Sequence, residues 1–88
     1  MATLQLIESN SELLYPQESL RMNPSGKKLE VTIRNADPGT GIVEVSFEGY
    51  SNTFYLEEKE IVSFSILDLD SELTIKNIGE TTLWVDWL

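Results

Sequence analysis

The chain predicts a single small all-β domain, an antiparallel β-sandwich of six to eight strands. Two observations carry that reading. Short alternating apolar stretches recur at spacings near ten residues, each closed by turn-forming residues, and no amphipathic helical stripe interrupts them. At 88 residues, the length allows one domain and one modest core.

The C-terminal stretch 72–88 is the most legible. Leu73 and Ile75 alternate on one strand, residues 77–80 form a connection, and Leu83, Val85 and Trp87 alternate on the next. Asn77 and Gly79 suit a tight hairpin, so a β-hairpin is expected here. Its second strand is unusual in carrying Trp84 and Leu88 on the other face, around Asp86. A strand apolar on both faces is covered twice, within the domain or by a partner.

Upstream, Leu29, Val31 and Ile33 alternate against Glu30, Thr32 and Arg34, the pattern of a half-buried strand. Asn35 to Gly41 is the strongest turn signal. Val43, Val45 and Phe47 form the next strand, Gly49 to Asn52 a turn, and Thr53 to Leu56 a short strand. Glu57 to Lys59 turns the chain into a strand bearing Val62, Phe64 and Ile66. Together these inward residues fill a two-sheet core.

The first 27 residues are less regular. Thr3 to Ile7 alternates weakly as a first strand, Glu8 to Glu12 reads as a polar turn, and Ser11 to Leu14 is compatible with one helical turn. Ser19 to Met22 is a short strand stopped by the turn residues Asn23 to Gly26. No convincing internal repeat is apparent, although Asn35 and Asn77 each close an alternating strand.

Composition excludes several functions. Without cysteine or histidine, the chain lacks disulfides, thiolate metal sites, and the commonest general base and zinc ligand. A net charge of −9, from 15 acidic and 6 basic residues, opposes binding to nucleic acid or anionic membranes. The N-terminal residues carry no signal-peptide pattern and no apolar run spans a membrane, so a cytoplasmic protein is expected, with the virion as a second destination. No phosphate-binding glycine loop or other cofactor motif is present, and no enzyme is expected.

Two candidate sites follow. Asp68, Asp70 and Glu72 stand at period two, a spacing that can gather oxygens around Ca²⁺, although a solvated acidic turn explains it as simply. Trp84, Leu88, Ile61, Leu67 and Tyr55 form an outward apolar set for an interface, unless the segment 11–23 folds over it.

Three stretches, Leu29 to Asn35, Phe54 to Phe64 and Leu73 to Gly79, resemble strands of the immunoglobulin-like β-sandwich modules of bacterial and phage proteins. The resemblance implies adhesion, decoration or assembly, and it names no site residue. A jelly-roll-like sandwich is the alternative architecture. The functional expectation is a non-catalytic protein-binding or assembly module, a phage structural or accessory protein that forms a homo-oligomer through the Trp84 face or binds another protein. Its rivals are a small acidic inhibitor of a host or defence protein and a carbohydrate-binding module.

Overall fold

The computed structural model describes residues 10–88 as eight strands. They are β1 (Asn10–Leu14), β2 (Ser19–Met22), β3 (Leu29–Asn35), β4 (Gly41–Phe47), β5 (Tyr50–Leu56), β6 (Ile61–Ile66), β7 (Leu73–Asn77) and β8 (Leu83–Trp87). Two four-stranded antiparallel sheets result, in the orders β1-β8-β3-β6 and β2-β7-β4-β5. The all-β sandwich is as expected, and its strand order is that of the jelly roll. The strand expected at Thr3 to Ile7 lies outside the described residues.

The immunoglobulin-like alternative does not survive the strand order. That fold builds its sheets largely from neighbouring strands in sequence, whereas here every connection except β4–β5 crosses to the opposite sheet. The exception is a two-residue hairpin at Glu48 and Gly49, with φ of 49° and 84°, the left-handed pair that a type I′ turn requires. β5 therefore begins at Tyr50, where the sequence suggested a turn.

The expected C-terminal hairpin is also corrected, because β7 and β8 belong to different sheets. Asn77 shows why. Its side chain is fully buried at the end of β7, where Nδ2 donates to the carbonyls of Thr81 (2.7 Å) and Leu14 (2.9 Å). Its Oδ1 accepts from the Gly79 amide at 3.1 Å. The amide thus folds the connection over the end of the sandwich and ties it to β1. Asn35 does the same at the end of β3, donating to Gly39 O (2.7 Å) and Leu56 O (3.0 Å) and accepting from Asp37 N at 3.3 Å.

These two asparagines mark an internal repeat offset by 42 positions, which the sequence reading did not find. Leu14 and Leu56 are equivalent, as are Gly39 and Thr81. The intervening turns also match. Tyr15 N donates to Glu18 Oε1 at 2.9 Å and Glu57 N to Glu60 Oε1 at 2.7 Å. Gln17 and Lys59 take φ of 72° and 69°, and their amides donate to Asn77 O and Asn35 O. The molecule is thus built from two similar halves, β1–β4 and β5–β8. The chain keeps Ile33 and Ile75, Asn35 and Asn77, and Val43 and Val85 at equivalent positions.

Between the sheets, Leu29, Val31, Ile33, Val43, Val45, Leu56, Ile66, Leu73, Ile75, Leu83 and Val85 are buried, as their alternation predicts. Phe47, Phe54, Val62, Phe64 and Trp87 pack against them, and Phe54 and Phe64 stack between the edge strands β5 and β6 with centroids 6.4 Å apart. Leu14, Met22 and Leu69 complete the core. At about 25 cal/mol per Å² of apolar surface, these side chains supply the main stabilisation.

The segment 10–23 is more regular than expected. Asn10 to Leu14 is a strand, replacing the helical turn and the part of the polar turn from Asn10 onward (its first two positions lie outside the described residues), because β1 pairs along its whole length with β8 from Asn10↔Trp87 to Leu14↔Leu83. Backbone pairing at a sheet edge needs no apolar alternation, so little in these residues signals it.

Candidate contact surface

Sheet β1-β8-β3-β6 places one set of alternating side chains in the core and the other outside. The registers Leu13↔Trp84, Trp84↔Arg34 and Arg34↔Ile61 align four outward residues in one row across the sheet. Trp84 is half-buried between its neighbours, while Leu13 and Ile61 are 36% and 57% exposed. The segment 11–23 does not cover this row. β1 lies beside β8 in the same layer and β2 lies in the other sheet.

The next row is polar, with Ser11, Asp86, Thr32 and Ser63 in register. The Ser11 hydroxyl donates to Asp86, and Thr32 and Ser63 share a hydrogen bond at 3.2 Å. Beyond it, Leu88 pairs through its backbone with Glu30. One end of the face is therefore apolar and its middle is lined by hydroxyls.

The five residues expected at an interface do not form one patch. Trp84 and Ile61 share the apolar row, with Leu88 further along the same face across the polar row. Leu67 follows β6 at the opposite end and is 65% exposed. Tyr55 is on the other sheet, paired with Ile42, whose carbonyl accepts from Ile78 N at 3.0 Å. Sequence alternation could assign a side chain to an outward face, but not say which sheet that face belonged to. Leu13 and Arg34 were missed for the same reason, since only the strand register brings them to Trp84.

Arg34 also borders an open depression of about 370 Å³ with Asn35, Ala36, Lys59 and Ile61. Two cationic side chains thus stand beside an apolar one in an otherwise acidic chain. A carboxylate seated there would meet both charges.

The acidic run has a structural cause. Leu69 is 3% exposed and its carbonyl accepts from Gly26 N at 2.8 Å, so the loop is anchored by the residue between the two aspartates. Asp68, Asp70 and Glu72 are all exposed. Among the described residues, no three acidic side chains converge as a metal site would require. The interior fits a metal no better. Its polar side chains include Asn35 and Asn77, whose amides are committed to backbone carbonyls, and the chain has no histidine or cysteine.

No family model matches the chain, and no curated protein matches it in sequence. Solved structures do match in fold. A de novo designed double-stranded β-helix aligns with TM-score 0.60 at 16% identity, covering 91% of this chain and 95% of the other. A cupin domain from Bordetella pertussis aligns with TM-score 0.56 at 16% identity, covering 97% and 86%. Drosophila melanogaster CENP-C bound to CAL1 aligns with TM-score 0.54 at 12% identity, covering 91% and 62%. The chain thus has the jelly-roll fold of double-stranded β-helix and cupin domains.

Proposed function

We propose that the chain is a non-catalytic protein-binding module that contributes contacts to a larger assembly. The observation that carries this reading is the row Leu13–Trp84–Arg34–Ile61, which no other element among the described residues covers, with the cationic depression at Arg34 and Lys59 beside it. The partner is a protein surface that lays an apolar group over Trp84 and Leu13 and sets a carboxylate between the two cations. Aromatic and arginine side chains are the usual energetic centres of such contacts. The packed aliphatic interior and the absence of histidine and cysteine support a scaffold rather than a catalyst. The CENP-C structure, solved with CAL1, is a related fold in a protein complex.

The test uses a partner identified by crosslinking to the natural chain. Trp84→Glu and Arg34→Glu, each with unchanged circular dichroism, are expected to weaken its binding at least tenfold, and added salt to weaken the natural complex. Binding unaffected by both substitutions contradicts the reading.

The polar row beside Trp84 favours a second reading, a carbohydrate lying across Ser11, Thr32, Ser63 and Asp86. Saturable sugar-dependent change in tryptophan fluorescence supports it, and flat titrations across a glycan panel remove it.

A further inference from the structure

The row Leu13–Trp84–Arg34–Ile61 ends on β6, an edge strand of its sheet. Asn35 N donates to Glu60 O, while Glu30 exchanges both backbone bonds with Leu88. By antiparallel alternation, Val62 and Phe64 turn their backbone groups toward β3, and those of Ile61, Ser63 and Ser65 face the open edge. Edges are commonly guarded by charge or proline, and β6 has neither. β5 is as bare, so the charge around each strand is what separates them. β5 has Glu44 opposite Thr53, with Glu48 and Glu57 near its two ends. Beside β6, Arg34 stands opposite Ile61 and shares a depression with Lys59, whereas Glu30 stands opposite Ser65 and Asp68 follows the strand. Among the described residues the salt bridge is Lys28–Glu30 at 2.9 Å, so neither Arg34 nor Lys59 has a carboxylate partner. Two glutamates of the adjoining turn are engaged elsewhere, Glu57 by the Thr40 hydroxyl at 3.1 Å and Glu60 by the Glu57 amide at 2.7 Å. The edge is therefore cationic at the Ile61 end and acidic at the Ser65 end.

We infer that β6 receives an added antiparallel strand from a protein partner, a strand with a basic residue four positions ahead of an acidic one. The inference rests on the proposed contact row, which such a strand lengthens by one residue beyond Ile61. The acidic side chain lies opposite Ile61, toward Arg34 and Lys59, and the basic one opposite Ser65, toward Glu30 and Asp68. A small hydroxyl residue between them faces Ser63, a favourable cross-strand match. The two remaining positions lie opposite Val62 and Phe64 and are apolar, covering the half-buried stack of Phe54 on Phe64. Lys-Val-Thr-Val-Glu is a strand of this kind. None of the eight strands of this chain has a basic residue four positions ahead of an acidic one, and two copies at −9 repel. The charge order thus selects a different protein over a second copy.

The chain has no cysteine, so Ser63→Cys places a single thiol at the centre of the edge. The probes are the end-blocked peptides Lys-Val-Cys-Val-Glu and Lys-Val-Cys-Val-Gln, exchanged onto that thiol at equilibrium in a glutathione buffer. At low salt the Glu peptide is expected to be captured about threefold more than the Gln peptide, the yield of exposed ion pairs. This preference runs against the net charge of the chain, which favours the more cationic Gln peptide. It is expected to vanish when Arg34→Gln and Lys59→Gln are added, and to be absent for Thr53→Cys on β5. In the captured complex the Ile61 and Ser65 amides should exchange with solvent at least tenfold more slowly than in the glutathione-capped chain. Equal capture of the two peptides, a Glu preference that survives loss of both cations, or unprotected Ile61 and Ser65 amides overturns the inference. If the peptides fail while Trp84→Glu still weakens the crosslinked partner, the added strand alone is overturned. Capture as expected, with partner binding untouched by Trp84→Glu, supports the strand and contradicts only the row.

Discussion

Asn77 is the sharpest place to test how the fold is held together. Replacing Asn77 by alanine removes two donors, to Leu14 O and Thr81 O, and one acceptor, for Gly79 N. The site is fully buried, so the orphaned backbone groups gain little compensation from water. A net hydrogen bond contributes about 1 kcal/mol, while each buried partner left unsatisfied costs about 1–3 kcal/mol. With partial rehydration at the end of the sandwich, the expected loss is about 3–5 kcal/mol. A chain of this length has roughly 4–13 kcal/mol in total, so Asn77→Ala approaches unfolding. Urea denaturation followed by tryptophan fluorescence at fixed concentration measures the loss. The repeat adds a second demand, that Asn35→Ala cost the same within about 1 kcal/mol, since it makes the equivalent bonds. Asn77→Asp adds a pH signature. A buried carboxyl facing two carbonyls has its folded-state pKa raised above the unfolded value near 4. The variant should then lose about 1.4 kcal/mol per pH unit as pH rises above that value, until the folded state ionises. A loss below about 1 kcal/mol for Asn77→Ala would refute the argument.

Three further substitutions probe the repeat and its turns. Among the described residues the buried Thr81 hydroxyl has no hydrogen-bond partner, so Thr81→Val should leave stability unchanged or raise it by about 1 kcal/mol, read from the urea midpoint. At Gly41 a Cβ would stand 2.9 Å from Thr81 Oγ1 and 3.1 Å from Asn35 Cγ, and Gly41→Ala should cost about 1–3 kcal/mol in the same assay. Gly49→Ala places a side chain at a φ of 84° in the β4–β5 turn with nothing nearby to clash; backbone strain alone predicts a loss of about 1–2 kcal/mol in thermal unfolding.

Alternation sufficed for the core because period-two burial is a local property: Leu29, Val31 and Ile33 point inward whichever strand lies beside them. Pairing is not local. Nothing in Leu73 to Leu88 says that β7 and β8 separate into two layers, and the hairpin reading failed because the buried Asn77 amide, bonding back to Leu14, decides the route. The repeat was hidden for a related reason. Its strongest matches are hydrogen bonds and left-handed turns, such as those at Gln17 and Lys59, that unlike residues can supply. The candidate surface was half legible. Trp84 and Ile61 were correctly placed outside, but the same reasoning joined them to Tyr55, which lies on the opposite sheet. The resemblance to immunoglobulin-like strands had a simple origin, because Asn35 and Asn77 end equivalent strands of one repeated half.

The account holds that this chain works by contact through the row Leu13–Trp84–Arg34–Ile61, and its most direct test is the affinity of a crosslinked protein partner for the natural chain and Trp84→Glu side by side. Binding at least tenfold weaker in a variant with unchanged circular dichroism is the predicted result. Equal affinity of the two folded chains would contradict it.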